Sequence, residues 1–203
     1  MKIICVGRNY ADHAKELNND IPTEPVLFMK PKGAILLPGK PLYYPEFTDD
    51  LQYECEVVVR IVKNGKHIQE KFANKYYGDV TLGIDFTARD VQREQQKKGL
   101  PWEIAKGFDG SAAVGSFEPV TVETNVSNIA FQLKKNGETV QDGDTRNMIF
   151  SIDQIIAYAS RYFTLNIGDL IFTGTPAGVG PVTAGDQLEG YMQGHKVLDV
   201  EVR

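Results

Sequence analysis

Two glutamates one residue apart pose the first chemical question. In Tyr53-Glu54-Cys55-Glu56-Val57-Val58-Val59 they interrupt a run that otherwise suits a buried strand. Side chains alternate across an extended chain, so Glu54 and Glu56 point the same way, about 7 Å apart along the strand. Two carboxylates on a poorly hydrated face repel one another and are pushed toward protonation. A hard divalent cation relieves that repulsion, because carboxylate oxygens are its preferred ligands. A third acid at the end of a neighbouring strand would complete one face of an octahedron. Asp85, closing the run "VTLGID", is the candidate. The same spacing also suits a half-exposed strand whose glutamates face water or pair with Arg60 and Lys63. Softer metals are disfavoured, since the chain has only His13, His67 and His195 and no Cys-x-x-Cys pair.

Other polar groups could join that centre. His13 and Glu16 lie three residues apart in a short helical stretch and share a face, which suits a carboxylate-oriented general base. An incidental surface pair has the same spacing. Arg89 and Gln92 occupy one face at the start of the helix after Asp85, and Lys106 could turn back toward them. Cations beside a divalent ion suggest capture of an anionic substrate, although solvated helices carry the same residue types. The Gly/Pro-rich "FTGTPAGVGP" of residues 172–181 could hold a carboxylate through backbone N–H groups and the Thr175 hydroxyl, or could be a structural turn. It lacks the Gly-Lys-Ser/Thr ending of a phosphate-binding loop. No serine sits in a G-x-S-x-G elbow, and Cys5 and Cys55 lie in apolar runs, so neither nucleophile is indicated.

The elements that must carry these residues are mainly strands. "PVLFMK", "QYECEVVVRIVKNGKHI" and "VTLGIDF" read as strands, with Asn64-Gly65 suiting a tight hairpin turn. Asn136-Gly137 marks a second hairpin, and Gly168-Asp169 and Gly185-Asp186 each lead into short apolar segments. "KVLDVEVR" alternates as an edge-like strand. Helices are few. "ADHAKELNND" is a short one. "TARDVQREQQKKG" has Thr87 and Asp90 spaced as a capping box and Gly99 as terminator. "SIDQIIAYASRYF" has a Ser151–Gln154 capping box and one apolar stripe of Ile152, Ile155, Ile156 and Ala159. Many strands with a few segregated helices indicate an α+β, mainly β chain.

Composition narrows the partners. A hydrophobic share of 42% and a charged share of 24% are ordinary globular values, so a packed core is expected. The net charge of −5, with no basic run longer than two residues, argues against nucleic acid. No apolar stretch is long enough to span a bilayer. Met1 leads directly into the strand-like "KIICVG", and two cysteines in apolar runs suit buried thiols in a reducing compartment. A cytoplasmic location is the expectation.

Taken together, "VGRNYADHAKEL", "PVLFMKP", "YECEVVVRI", "GIDFTARDVQ", "KGLPWEIAKGFD", "MIFSIDQIIAY" and "GDLIFTGTPAGVGPV", in this order, closely resemble the fumarylacetoacetate hydrolase superfamily. The nearest branch resembles its short acylpyruvase and oxaloacetate decarboxylase-like members. The resemblance runs from about Ile3 to Val202. It implies a mixed β-sheet roll with a few peripheral helices, one catalytic domain over 1–203 with residues 9–20 as a mobile lid, and a homodimer. It further implies a Mg²⁺ site, where Mn²⁺ can substitute, formed by Glu54, Glu56 and Asp85. His13 and Glu16 match a lid dyad acting on water, and Lys106 matches a lysine beside the bound substrate. Arg89, Gln92 and Thr175 match substrate-anchoring positions, and Lys30 matches a lysine at the pocket wall. The implied substrate is a small 2-oxo acid. The implied reactions are hydrolysis of a 3-acylpyruvate and decarboxylation of oxaloacetate, both through a pyruvate enolate held by the cation and Lys106. Tautomerisation of 2-oxo or 2-hydroxy-dienoic acids on the same centre is the alternative within the superfamily. A binding protein without turnover is the alternative outside enzymes. Two departures, Gly107 where near relatives carry Ser and Ala112-Ala113 where Cys-Pro is common, bear on pocket shape.

Overall fold

Runs rich in valine and isoleucine form the centre of the molecule, because β-branched side chains pack well on a pleated, buried surface. The structure, a computed structural model, describes residues 1–16, 20–121 and 123–203. In chain order these form β1 (Ile3–Gly7), α1 (Ala11–Glu16), β2 (Val26–Lys30), β3 (Ile35–Leu36), β4 (Leu51–Tyr53), β5 (Cys55–Ile61), β6 (Tyr77–Asp85) and β7 (Thr87–Ala88). Next come α2 (Arg89–Lys98), α3 (Glu103–Lys106), β8 (Ala112–Val114), β9 (Glu118–Pro119), β10 (Ala130–Lys135), β11 (Glu138–Asp144) and α4 (Ile152–Tyr162). The chain ends with β12 (Leu170–Phe172), β13 (Gly180–Pro181), β14 (Gln187–Met192) and β15 (His195–Glu201).

The largest sheet runs β2-β1-β12-β5-β6-β8-β3, with β9 also on β6. It is mixed: β1–β12 and β3–β8 are parallel, the other pairs antiparallel. A second sheet, β11-β10-β14-β15, packs against it, and β13-β4-β7 forms a small third sheet. The mainly β fold and curled mixed sheet expected from the sequence are present.

The two faces of β5 and β6 do different work. Val57, Val59, Ile61, Val80, Leu82 and Ile84 point into the main core, against Phe131, Leu133, Leu188 and Leu198 of the second sheet and the Ile155–Ile156 stripe of α4. Each such fully buried side chain contributes about 1.5–3 kcal/mol of transfer free energy. The opposite face carries a smaller apolar cluster of Ile3, Cys5, Val58, Leu170 and Phe172. Glu54 and Glu56 share that second face with Val58 by alternation, so the acids lie at the end of an apolar floor.

Three local expectations need correction. Asn64-Gly65 does not make a tight hairpin. β5 and β6 do pair, but residues 62–76 connect them through a 3-10 helix at Glu70–Lys75, and Gly65 bridges Leu165 instead. The Thr87–Asp90 capping box is absent because both side chains are engaged elsewhere. Thr87 accepts from Lys106, and Asp90 accepts from Thr48 and Asp49. Glu54 lies between β4 and β5 rather than inside one strand with Glu56.

Other readings match. Ser151 and Gln154 form a reciprocal capping box, Gly99 ends α2 in the left-handed conformation, and Asn136-Gly137 turns β10 into β11. Of the expected lid, 9–16 and Asp20 are described, with α1 as its helix; residues 17–19 lie outside the described residues. No helix among the described residues is long and apolar enough to cross a membrane.

Candidate active site

Strand pairing brings the acids together. Cys55 opposes Ile84, and the Asp85 N–H donates to the Glu54 carbonyl at 2.8 Å, which sets Glu54 directly across from Asp85. Glu56 follows two residues on, opposite Gly83. Carboxylate oxygens of Glu54, Glu56 and Asp85 all lie within 4.8 Å of one another, and all three residues are buried. The sequence-level alternative fails here: Arg60 pairs with Asp79, and Lys63 sits over the Tyr76 ring.

Lysine and arginine offset part of the repulsion among these acids. Lys106 Nζ donates to Glu54 Oε2 and Asp85 Oδ2, each at 2.8 Å, and to Thr87 Oγ1 at 2.6 Å. Arg89 donates to the other Glu54 oxygen, to Gln52 at 2.8 Å and to Gln92 at 2.5 Å. Burial would raise the Glu54 carboxyl, but Lys106 and Arg89 outweigh it and hold it well below the usual range. Burial would likewise lower the Lys106 ammonium, and Asp85 and Glu54 reverse the sign.

Glu56 stands apart. It has no cation partner among the described residues and accepts one backbone N–H, from Gly174 at 2.7 Å. Burial, then Asp85 and Glu54, push its carboxyl well above the ordinary range, with the Gly174 N–H and Lys106 offsetting part. The donor set therefore fits a divalent cation: three convergent hard oxygens, one of them without compensating charge.

A cavity of about 310 Å³ opens over these acids, lined also by His13, Glu16, Arg89, Gln92, Lys106 and Thr175. His13 is buried at 5% exposure, and its Nδ1 meets Glu16 Oε2 at 3.1 Å. Glu16 Oε1 accepts from the Gly178 N–H at 3.1 Å, which ties α1 to the 172–181 turn. The turn does hold carboxylates through backbone N–H groups, as its composition suggests, but they are the protein's own Glu56 and Glu16. Gly174 is required there. Its φ is 101°, and a Cβ would stand 2.7 Å from Asn9 Cβ.

Two expected positions differ. Lys30 does not line the cavity. Its fully buried ammonium lies behind the site, 2.7 Å from Asp85 Oδ1 and donating to the carbonyls of Phe86, Lys106 and Ser111. Thr175 lines the cavity, but its hydroxyl donates to the Cys55 carbonyl and accepts from Gln141, both at 2.8 Å, so its proton is not offered to a ligand.

Sequence reading missed Gln52, Gln141, Phe28 and Trp102. Gln141 receives the Cys55 N–H and braces Thr175, and Phe28 stacks tilted on Trp102 at 5.8 Å. No local pattern distinguishes these from ordinary strand and loop residues. Neither Gly107, pressed against Pro31 and the Glu103 carbonyl, nor Ala112-Ala113 in β8 lines this cavity.

Comparison with known proteins adds the context. Residues 2–203 match the model of the fumarylacetoacetate (FAA) hydrolase C-terminal family. The oxaloacetate tautomerase FAHD1, mitochondrial, of Bos taurus is 46% identical over 192 residues, spanning 95% of this chain and 87% of that protein. The crystal structure of fumarylpyruvate hydrolase from Pseudomonas aeruginosa in complex with Mn²⁺ and pyruvate superposes with a TM-score of 0.94 at 38% identity, covering 100% of this chain and 89% of that one. A fumarylacetoacetate hydrolase family protein from Yersinia pestis superposes with a TM-score of 0.95 at 38% identity, covering 100% and 93%.

Proposed function

The chain belongs to the fumarylacetoacetate hydrolase family, and from that premise we propose a divalent-cation-dependent enzyme that interconverts the keto and enol forms of a small 2-oxo acid of the oxaloacetate class. The observation carrying this is the meeting, in one cavity, of three buried carboxylates with a buried, carboxylate-oriented imidazole. The 46% identity to an oxaloacetate tautomerase supports the substrate class.

Glu54, Glu56 and Asp85 would hold the cation, Mg²⁺ or Mn²⁺, which would supply Lewis-acid stabilisation of negative charge on a bound 2-oxo acid. Glu16 fixes His13 through Nδ1, leaving Nε2 to take a proton from the substrate's C3. The charge left on the 2-oxo oxygen is stabilised by Lys106, whose ammonium stays protonated between Glu54 and Asp85. Return of that proton from His13 Nε2 to the 2-oxo oxygen, directly or by way of solvent, gives the enol, and the reverse steps return the keto acid. Arg89 has engaged three of its five N–H groups in the protein, which leaves two for the substrate carboxylate beside Gln92. Lys30 acts as a positioning residue for Asp85, and Thr175 for the wall it braces. Closure of residues 9–20 over the bound acid, homodimerisation and a cytoplasmic location belong to the same proposal. The last stands beside relatives named mitochondrial.

A second reading is C–C cleavage of a 3-acylpyruvate, favoured by the likeness to a fumarylpyruvate hydrolase. There His13 would activate water, and the same stabilised enolate would be the leaving group. Decarboxylation of oxaloacetate needs that enolate without the water.

The test treats chelator-stripped protein with Mg²⁺ and follows enol-oxaloacetate by ultraviolet absorbance, with pyruvate release from acetylpyruvate measured alongside. Cation-dependent acceleration of enol loss beyond that of Mg²⁺ alone is expected. Pyruvate release without that acceleration selects the second reading, and neither activity overturns both.

A further inference from the structure

Side chains other than glycine avoid positive φ because Cβ crowds the neighbouring carbonyl. Among the described residues four other than glycine adopt it: Arg8 at 61°, His67 at 53°, Asn136 at 54° and Gln193 at 50°. The last three are exposed turn residues, whereas Arg8 lines the cavity over the carboxylates. A strained residue at a ligand cavity is a pointer to function.

Its neighbours enforce the conformation. Asn9 is fully buried, and its side-chain amide donates to the carbonyls of Phe150 at 3.0 Å and Thr173 at 2.7 Å. Asn9 Oδ1 accepts from the Phe150 N–H at 2.7 Å, and its carbonyl accepts from the Ile149 N–H at 2.8 Å. On the other side β1 is locked between β2 and β12. The bend at Arg8 is thus imposed by both flanks, and it sets Arg8 in the wall of the cavity.

The charge pattern is equally uneven. Among the described residues every other basic side chain lining this cavity already has an anion: His13 has Glu16, Arg89 has Glu54, Lys106 has Glu54 and Asp85, and Arg93 has Asp50. Arg8 is half-buried and has no hydrogen-bond or ion-pair partner among the described residues. A planar guanidinium in that position matches a carboxylate bidentately.

We propose that Arg8 binds the second carboxylate of a 2-oxo dicarboxylate and so selects dicarboxylic over monocarboxylic 2-oxo acids. This rests on the reading of the cavity as a 2-oxo acid site and names what that site prefers. Arg89 addresses the carboxylate next to the 2-oxo group, and Arg8 addresses the far end of the substrate.

Oxaloacetate and 2-oxobutanoate form a matched pair, because a methyl group replaces the distal carboxylate. Their affinities are measured by calorimetry on the Mg²⁺-loaded protein and on Arg8→Asn. Asparagine enters positive φ more readily than most residues, so this variant removes the charge while keeping the bend. The preference for oxaloacetate is expected to shrink about 10–100-fold, the strength of a hydrogen bond to a charged group, with partial rescue in Arg8→Lys. An unchanged preference overturns the assignment, as does a parallel loss of both acids. Binding of both acids without turnover would sink the enzymatic reading and still decide Arg8. Binding of neither acid overturns both.

Discussion

The floor and the rim of the cavity are built to different standards. The floor rests on β5 and β6, and two of its three acids, Glu54 and Asp85, are over-determined by charge. Asp85 is fully buried with Lys30 and Lys106 against it, and Glu54 has Lys106 and Arg89. The rim is the six-residue helix α1, where the Glu16 side chain is 34% exposed and two 3.1 Å contacts join His13 to Glu16 and Glu16 to Gly178. A helix that short has little stability of its own. In the proposed mechanism charge is thus preorganised below the substrate, while His13 stands on that weakly stable helix.

The largest expected effect breaks the rim without touching the floor. His13→Ala should lower kcat for enol–keto exchange by about 10²–10⁴-fold, the usual contribution of a general base. Its melting temperature should stay near that of the parent chain, which differential scanning calorimetry checks alongside the kinetics. A stability loss as large as that of a core substitution would show that rim and floor are one unit.

Next comes a floor variant whose first effect is on stability. Lys30→Met leaves Asp85 and three backbone carbonyls without their ammonium, and breaking a buried pair from one side costs about 3–5 kcal/mol. Urea denaturation reads this directly. An unchanged midpoint would mean that Lys106 alone holds Asp85, and the contrast between the two regions would narrow.

Much of this was legible in the sequence, for physical reasons that differ by residue. Strand alternation and apolar flanks placed Glu54 and Glu56 on a buried face, and Asp85 at a strand end completed them. The Ser151 capping box and the Ile155–Ile156 stripe were local patterns, and local patterns survive folding. The ordered motifs supplied His13, Glu16, Lys106, Arg89 and Gln92, all of which line the cavity. What failed depended on contacts distant in sequence. Thr87 resembled a helix cap, but Lys106, nineteen residues on, takes its hydroxyl. Asn64-Gly65 resembled a hairpin turn, but Gly65 finds Leu165. Lys30 belonged near the site, yet only the paired strands show it behind Asp85. Gln141 braces Thr175 from thirty-four residues away, and no spacing rule points to it.

In the proposed function Glu54, Glu56 and Asp85 hold one divalent cation, and Glu56 is the acid whose charge only that cation compensates. This is tested most directly by calorimetric titration of Mn²⁺ into the chelator-stripped chain and into Glu56→Gln. One saturable site per chain is expected, weakened at least about tenfold in the variant, as follows from removing a charged ligand. Absence of saturable binding, or equal affinity in the two proteins, would contradict it.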